Sequence, residues 1–243
     1  MSVVINYVSE FISIIATDTR ISWGKNAEYG YDDDNEKLVD LPQMGWTSGV
    51  GLGWFLDTFK ENLAAEEISN PAQIEEIYSQ AIMETMESRP GFEEEINKSA
   101  LAASWIGLSE ERDKVFCRIG LLNKELFGEV IKLLPFNQLF VLYPWEYLEN
   151  PERANEFEGR YSFYHEFDGD IIAILKKICS MFDELSETKS VSKICDIGVQ
   201  FIAPDGIYKI RIREDIQLII DELNKDIIPG KFTKHVNFKI ESV

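Results

Sequence analysis

Apolar positions open the chain almost without a break. Residues 3–8, VVINYV, and 11–17, FISIIAT, are short runs rich in β-branched residues, parted by Ser9-Glu10. Such runs around a polar pair predict two strands joined by a tight turn. Residues 22–36, SWGKNAEYGYDDDNE, are polar and glycine-bearing and predict a loop. KLVDL (37–41) and GWTSGV (45–50) predict a second, shorter strand pair, broken at Pro42-Gln43. The apolar spacing then changes to three and four. WFLDTFKENLAAEE sets Trp54, Phe55, Thr58, Phe59 and Leu63 largely on one helical face. NPAQIEEIYSQAIMETMES predicts a second helix, with Asn70 as N-cap and Pro71 at the first helical position. Its Ile74, Ile77, Tyr78, Ala81 and Ile82 repeat at three and four.

Strand patterns return in SALAASWIGL (99–108) and KVFCRIGLL (114–122), joined across SEERD, and again in QLFVLYP (138–144). WEYLENPERANEFEGR reads as helix broken near Pro151. DGDIIAILKKICSMFDELSE (168–187) is strongly amphipathic and predicts a long helix. CDIGVQFIA (195–203) and GIYKIRI (206–212) flank Pro204-Asp205, a turn signal, and predict a hairpin. A short acidic helix (214–225) and a polar tail follow. Strands and helices thus come in blocks. That order predicts antiparallel sheets packed with helix layers, not a doubly wound parallel sheet. With no internal repeat and no low-complexity linker, residues 1–243 are expected to form one domain.

The 243 residues suffice for a substantial core, and a hydrophobic share of 45% predicts a folded chain. No apolar run reaches the roughly 18 residues a membrane span needs. The N-terminus has no basic segment ahead of an apolar stretch, so no secretory signal is expected. Lys and Arg number 24 against 43 Asp and Glu, a net charge of −19. So acidic a surface repels phosphate, which argues against nucleic acid and anionic membranes as partners. The three cysteines, Cys117, Cys179 and Cys195, lie in apolar patterns without a CxxC, as expected of free buried thiols in a reducing cytoplasm. The two histidines, His165 and His235, sit in no pairing motif and read as structural or surface residues. Their scarcity disfavours a Ser-His-Asp triad or a His-rich metal site. DDDNE (32–36) resembles a calcium loop in acidic spacing but lacks its glycine, and reads as a solvated loop. SGVGLGW does not meet GxGxxG because position 54 is Trp. Neither a cofactor nor a metal is expected.

One short stretch stands out. ATDTRIS, residues 16–22, puts Asp18 and Arg20 where the second apolar run stops, about sixteen residues after Ser2. With the element order, this resembles the N-terminal nucleophile (Ntn) hydrolases, in particular the proteasome β-subunit branch and its bacterial protease-ring relatives. In that family an N-terminal Thr, Ser or Cys is followed by a hairpin ending in an A-D-[ST]-R sequence. Here Ala16-Thr17-Asp18-Thr19-Arg20 carries one extra residue. A Lys before a short apolar strand looks like Lys37, and a small-residue turn before the first long helix looks like Ser48-Gly49-Val50-Gly51. The resemblance is detailed over about the first 65 residues and rests on element order beyond them. It implies an α+β fold, a four-layer αββα sandwich of two antiparallel sheets between helix layers.

The resemblance further implies a site. Ser2, exposed by removal of Met1, would be the nucleophile, with its own α-amine as base. Lys37 would sit beside it as a cation, Asp18 would orient Lys37, and the Gly49 N–H would stabilise the oxyanion. The strand pair holding Thr47 would border a groove for a peptide or other amide substrate. Read singly, these residues have plainer roles: an ordinary second residue, a strand-end ion pair of Asp18 and Arg20, a solvated strand start, and a tight turn. The family's Gly- and Ser-rich turn before the closing strand is only loosely echoed in SVSKICDIGV by Ser192, Asp196 and Gly198, and its upstream Asp has no assigned counterpart. The expected function is a cytoplasmic, homo-oligomeric amidohydrolase. The alternative is a catalytically inactive proteasome-like protein with an assembly or binding role.

Overall fold

The computed structural model describes residues 2–23, 28–108, 114–164, 170–230 and 232–236. The chain opens with β1 (Val4–Val8), β2 (Ile12–Asp18), β3 (Ile21–Ser22), β4 (Tyr31–Asp32), β5 (Val39–Asp40) and β6 (Trp46–Val50). Helices α1 (Gly53–Ala65), α2 (Pro71–Ser88) and α3 (Glu93–Lys98) follow, then β7 (Ala100–Leu108) and β8 (Val115–Asn123). Next come α4 (Lys124–Phe127), β9 (Gly128–Leu133), β10 (Gln138–Leu142), α5 (Trp145–Leu148), α6 (Pro151–Tyr161) and α7 (Ile171–Leu185). The last elements are β11 (Ile194–Ala203), β12 (Gly206–Asp215), α8 (Ile216–Leu223) and β13 (Phe232–Val236).

The strands form a six-stranded sheet, β10-β1-β2-β11-β12-β13, a five-stranded sheet, β5-β6-β7-β8-β9, and the small β3-β4 pair. Every strand pairing among the described residues is antiparallel. The fold is α+β, as the block order predicts.

Three apolar clusters account for the patterning. One joins the six-stranded sheet to α7 and α8, through Ile5, Ile14 and Ile197 against Ile174, Phe182 and Ile219. A second joins the five-stranded sheet to α1 and α2, through Leu101 and Ala103 against Phe55, Phe59 and Ile77. The third brings residues of both sheets together, Val4, Val8 and Ile15 with Trp46, Ala102 and Ile119. Strands β1 and β2 are therefore buried on both faces, which explains why VVINYV and FISIIAT are nearly continuous apolar runs rather than alternating ones. Trp46 lies across Gly198, where an added Cβ would come within 2.5 Å of the indole ring, so Gly198 lets the two sheets approach. The Trp46 indole N–H donates to the Val199 carbonyl at 3.2 Å.

Local signals explain the element ends. Asn70 accepts from the Gln73 N–H while the Gln73 side chain reaches back, a complete capping box with Pro71 at the first turn. Asp170 caps α7 through Ile172 N–H at 3.0 Å and Ala173 N–H at 3.1 Å. The β11–β12 hairpin closes at Ala203 and Gly206, with Gly206 at φ +152°. The helix broken near Pro151 is observed as two short helices, α5 and α6.

Some expectations are corrected. Trp54 leaves the core face of α1 and is 45% exposed, edge-on to Phe92, because the inward stripe is Phe55, Phe59 and Leu63 at strict spacing of four. The polar tail contains β13, which extends the sheet by pairing with β12. The polar region 22–36 contributes β4 and part of β3 to the β3–β4 ladder. The 109–113 connection and His165 lie outside the described residues, as does the side chain of His235. The three cysteines are free and buried, and burial pushes the Cys117 and Cys179 thiols up to about 12. No helix among the described residues is long and apolar enough to cross a membrane.

Candidate active site

The β1–β2 hairpin pairs Val4 with Thr17, which sets Ser2 beside the end of β2. Strand β11 lies on the other side of β2, with Cys195 opposite Asp18, so the residues just before β11 reach the same corner. Lys37 enters from the segment before β5. Three separated stretches thus converge where the two sheets meet at one end.

Ser2, Asp18 and Lys37 are in contact there, and all are buried, at 7%, 0% and 6% exposure. The Lys37 Nζ donates to Ser2 Oγ at 2.7 Å and to Asp18 Oδ1 at 2.9 Å. Its third acceptor is the Arg20 carbonyl. The Nζ is thus within hydrogen-bond reach of three oxygens. Burial lowers the Lys37 pKa, and the charge and hydrogen bond of Asp18 oppose that shift. The neighbouring Lys60 ammonium lowers it further.

Asp18 is itself held by backbone. Its Oδ1 accepts from Val3 N–H at 3.1 Å, and its Oδ2 from Arg20 N–H at 2.8 Å and Ser192 N–H at 3.4 Å. Thr17 Oγ1 donates to the Val3 carbonyl at 3.1 Å, tying the start of β1 to β2. Thr19 Oγ1 and Ser192 Oγ are 3.0 Å apart, and the Thr19 N–H donates to Ser192 Oγ at 3.1 Å.

The three residues that loosely echo the family's late turn separate in the structure. Ser192 joins the site through Asp18 and Thr19. Asp196 instead takes a bidentate pair of bonds from Arg211, at 2.8 and 2.6 Å. Gly198 is the packing glycine under Trp46. Ser192 is the functional candidate that sequence spacing underweighted; its signal was a serine two residues ahead of the closing strand.

A cavity of about 20 Å³ adjoins Lys37, lined also by Val39, Thr47, Gly49, Leu56 and Lys60. That is room for about one water molecule. Gly49 lies where β6 meets α1: an added Cβ would sit 2.4 Å from Leu101 Cδ2 and 2.8 Å from Leu56 Cδ2. Positive φ falls at Gly51 instead, at +128°, where a Cβ would come within 2.2 Å of Ser99 Oγ. Thr47 Oγ1 donates to the Ala102 carbonyl at 2.8 Å and so faces this cavity already partnered.

The acidic run 32–36 is not a freely solvated loop. Asp33 pairs with Arg20, Asp34 with Arg213 and Glu36 with Arg211. Among the described residues no group of three or more His, Cys, Asp or Glu side chains is placed to hold a metal ion.

No protein-family profile matches the chain, and no curated protein matches it by sequence. Solved structures do match it in three dimensions. Anbu from Hyphomicrobium sp. strain MC1 superimposes with a TM-score of 0.57 at 13% identity, over 92% of each chain. A Gly-1 mutant of Anbu from the same strain gives 0.56 at 12% identity, over 93% of this chain and 94% of that one. Anbu from Yersinia bercovieri, described as an ancestral beta-subunit, gives 0.55 at 13% identity, again over 93% and 94%. The resemblance to proteasome-like Ntn hydrolases expected from the sequence thus holds for the fold: over 92–93% of its length, this chain has the fold of the Anbu proteins.

Proposed function

We propose that the chain is an Ntn-type amidohydrolase that cleaves peptide or other amide bonds with Ser2 as nucleophile, freed by removal of Met1. One observation carries the reading. The Ser2 hydroxyl takes a 2.7 Å bond from a buried lysine that a fully buried aspartate holds at 2.9 Å.

Ser2 Oγ attacks the amide carbonyl carbon, and its proton passes to the free α-amine, whose ordinary pKa near 7.7–8.0 leaves part of it neutral at working pH. The Lys37 ammonium stabilises the developing alkoxide, because it lies within hydrogen-bond reach in a site shielded from water. Asp18 keeps the ammonium charged and aimed. The Gly49 N–H is assigned to the oxyanion, supported by its place in the cavity wall beside Lys37. Collapse breaks the C–N bond, the amine leaves with a proton, and water then hydrolyses the Ser2 ester.

We read residues 1–243 as one unit with the four-layer αββα arrangement, supported by the three apolar clusters. Self-association is part of the same reading. Edge strand β9 and the preceding α4 expose Leu126, Val130 and Leu133, apolar surface that a second copy would cover. The chemistry and the acidic surface fit a cytoplasmic setting.

The burial of Ser2 favours a second reading. A Ser2 that is only 7% exposed also suits a silent relative with an assembly or binding role. Acid quenching of the protein mixed with short peptide amides separates the two. The enzyme reading predicts a hydroxylamine-labile acyl ester mapped to Ser2 by mass spectrometry. A silent protein gives no adduct at any time point.

A further inference from the structure

Arg20 contacts both members of the buried ion pair through its backbone, while its side chain is gripped elsewhere. Its N–H donates to Asp18 Oδ2 at 2.8 Å and its carbonyl accepts from Lys37 Nζ. Its guanidinium forms a two-pronged bond to Asp33, Nε to Oδ1 at 2.6 Å and Nη2 to Oδ2 at 2.8 Å. Its remaining prong, Nη1, donates to the Lys189 carbonyl at 2.7 Å. The Tyr31 ring covers the guanidinium carbon at 3.7 Å. A planar fork with three anchors and an aromatic lid is a rigid attachment, unlike an exposed single-contact pair. Asp33 belongs to the acidic run 32–36, which leads directly into Lys37. The same run is tied at Asp34 and Glu36 to Arg213 and Arg211 of β12.

We propose that Arg20 is a positioning residue: its guanidinium, clasped by Asp33, fixes the backbone whose N–H and carbonyl set Asp18 and Lys37 in place. The catalytic meaning of this clasp rests on the reading of Ser2 as nucleophile; the hold on Lys37 does not. The acidic run is then a device that delivers Lys37 to Ser2 at a defined distance, with Asp33, Asp34 and Glu36 spent on arginines. Misplacement of a reacting group by about 1 Å can cost on the order of 100-fold in rate.

The test uses Arg20→Lys and Asp33→Glu in the full chain. Both keep every charge, so the direct field of Asp33, Asp18 and Lys60 on Lys37 is conserved while the fork geometry is lost. The first readout is the titration midpoint of Lys37, from 13C-lysine NMR, with its signal assigned by Lys37→Arg. A loosened Arg20 carbonyl leaves burial less opposed, so the midpoint should fall by about half a unit or more. The second is the rate at which a small sulfonyl fluoride modifies Ser2 per folded molecule, expected to fall about tenfold or more. Lower thermal stability with an unchanged Lys37 midpoint and an unchanged rate would overturn the proposal and leave Arg20 a loop strut. If Ser2 of the parent protein is unreactive but the Lys37 midpoint moves, the nucleophile reading fails and the clasp stands.

Discussion

Ser2→Ala is expected to abolish amide turnover while leaving the fold standing. The substitution removes the hydroxyl that Lys37 touches, so no attack on a carbonyl remains. The structural cost is one hydrogen bond to a charged donor, about 1.5–3 kcal/mol at most, because Lys37 keeps Asp18 and the Arg20 carbonyl. For a chain of this size that corresponds to a melting temperature lower by several degrees. Turnover and thermal unfolding measured on one preparation read both effects. A variant with parent activity would show that the hydroxyl is not the nucleophile.

Lys37→Met should cost more stability than Ser2→Ala and also cripple turnover. It removes the cation beside the nucleophile, and a loss of about 10³-fold in turnover is expected, on the scale of deleting a transition-state donor. It also leaves Asp18 buried without its counter-charge, and breaking a buried pair on one side costs about 3–5 kcal/mol. The Val3 and Arg20 N–H groups remain on Asp18 and place the expected cost at the low end of that range. The variant differs from the parent in pH dependence as well. Burial lowers the Lys37 pKa below 10.5 in the folded chain, so between the two values the unfolded chain binds the extra proton. Stability from this group therefore rises with pH across that window in the parent and not in the variant. Denaturant unfolding from pH 7 to 10 measures the difference. Equal slopes in the two proteins would mean that Lys37 titrates as it does in the unfolded chain.

Much of the fold was legible because its signals are local. Asn70, Asp170 and the Pro204-Asp205 turn mark ends by their own chemistry, and Ile74, Ile77, Tyr78, Ala81 and Ile82 mark one inward face by spacing. Elements without such signals escaped. The β3–β4 and β13 ladders are short; β3 and β4 pair only with each other, and β13 forms because β12 offers an open edge. Ser2, Asp18 and Lys37 could be named through the family resemblance, although Asp18 and Lys37 are brought together only by tertiary packing. Ser192 reaches Asp18 across 174 positions, a contact no periodicity encodes. Asp196 and Gly198 resemble parts of a functional turn in sequence, yet one anchors Arg211 and the other accommodates Trp46. The acidic run read as solvated because two of its arginine partners, Arg211 and Arg213, come from the distant strand β12, and Arg20 meets Asp33 only once the intervening loop folds back.

The most direct measurement is the intact mass and N-terminal sequence of the purified protein, before and after a small sulfonyl fluoride. The account predicts a chain that starts at Ser2 and gains a single adduct, on residue 2. A chain that keeps Met1 in full and gains no adduct would contradict it, leaving the inactive, partner-binding reading of the same fold.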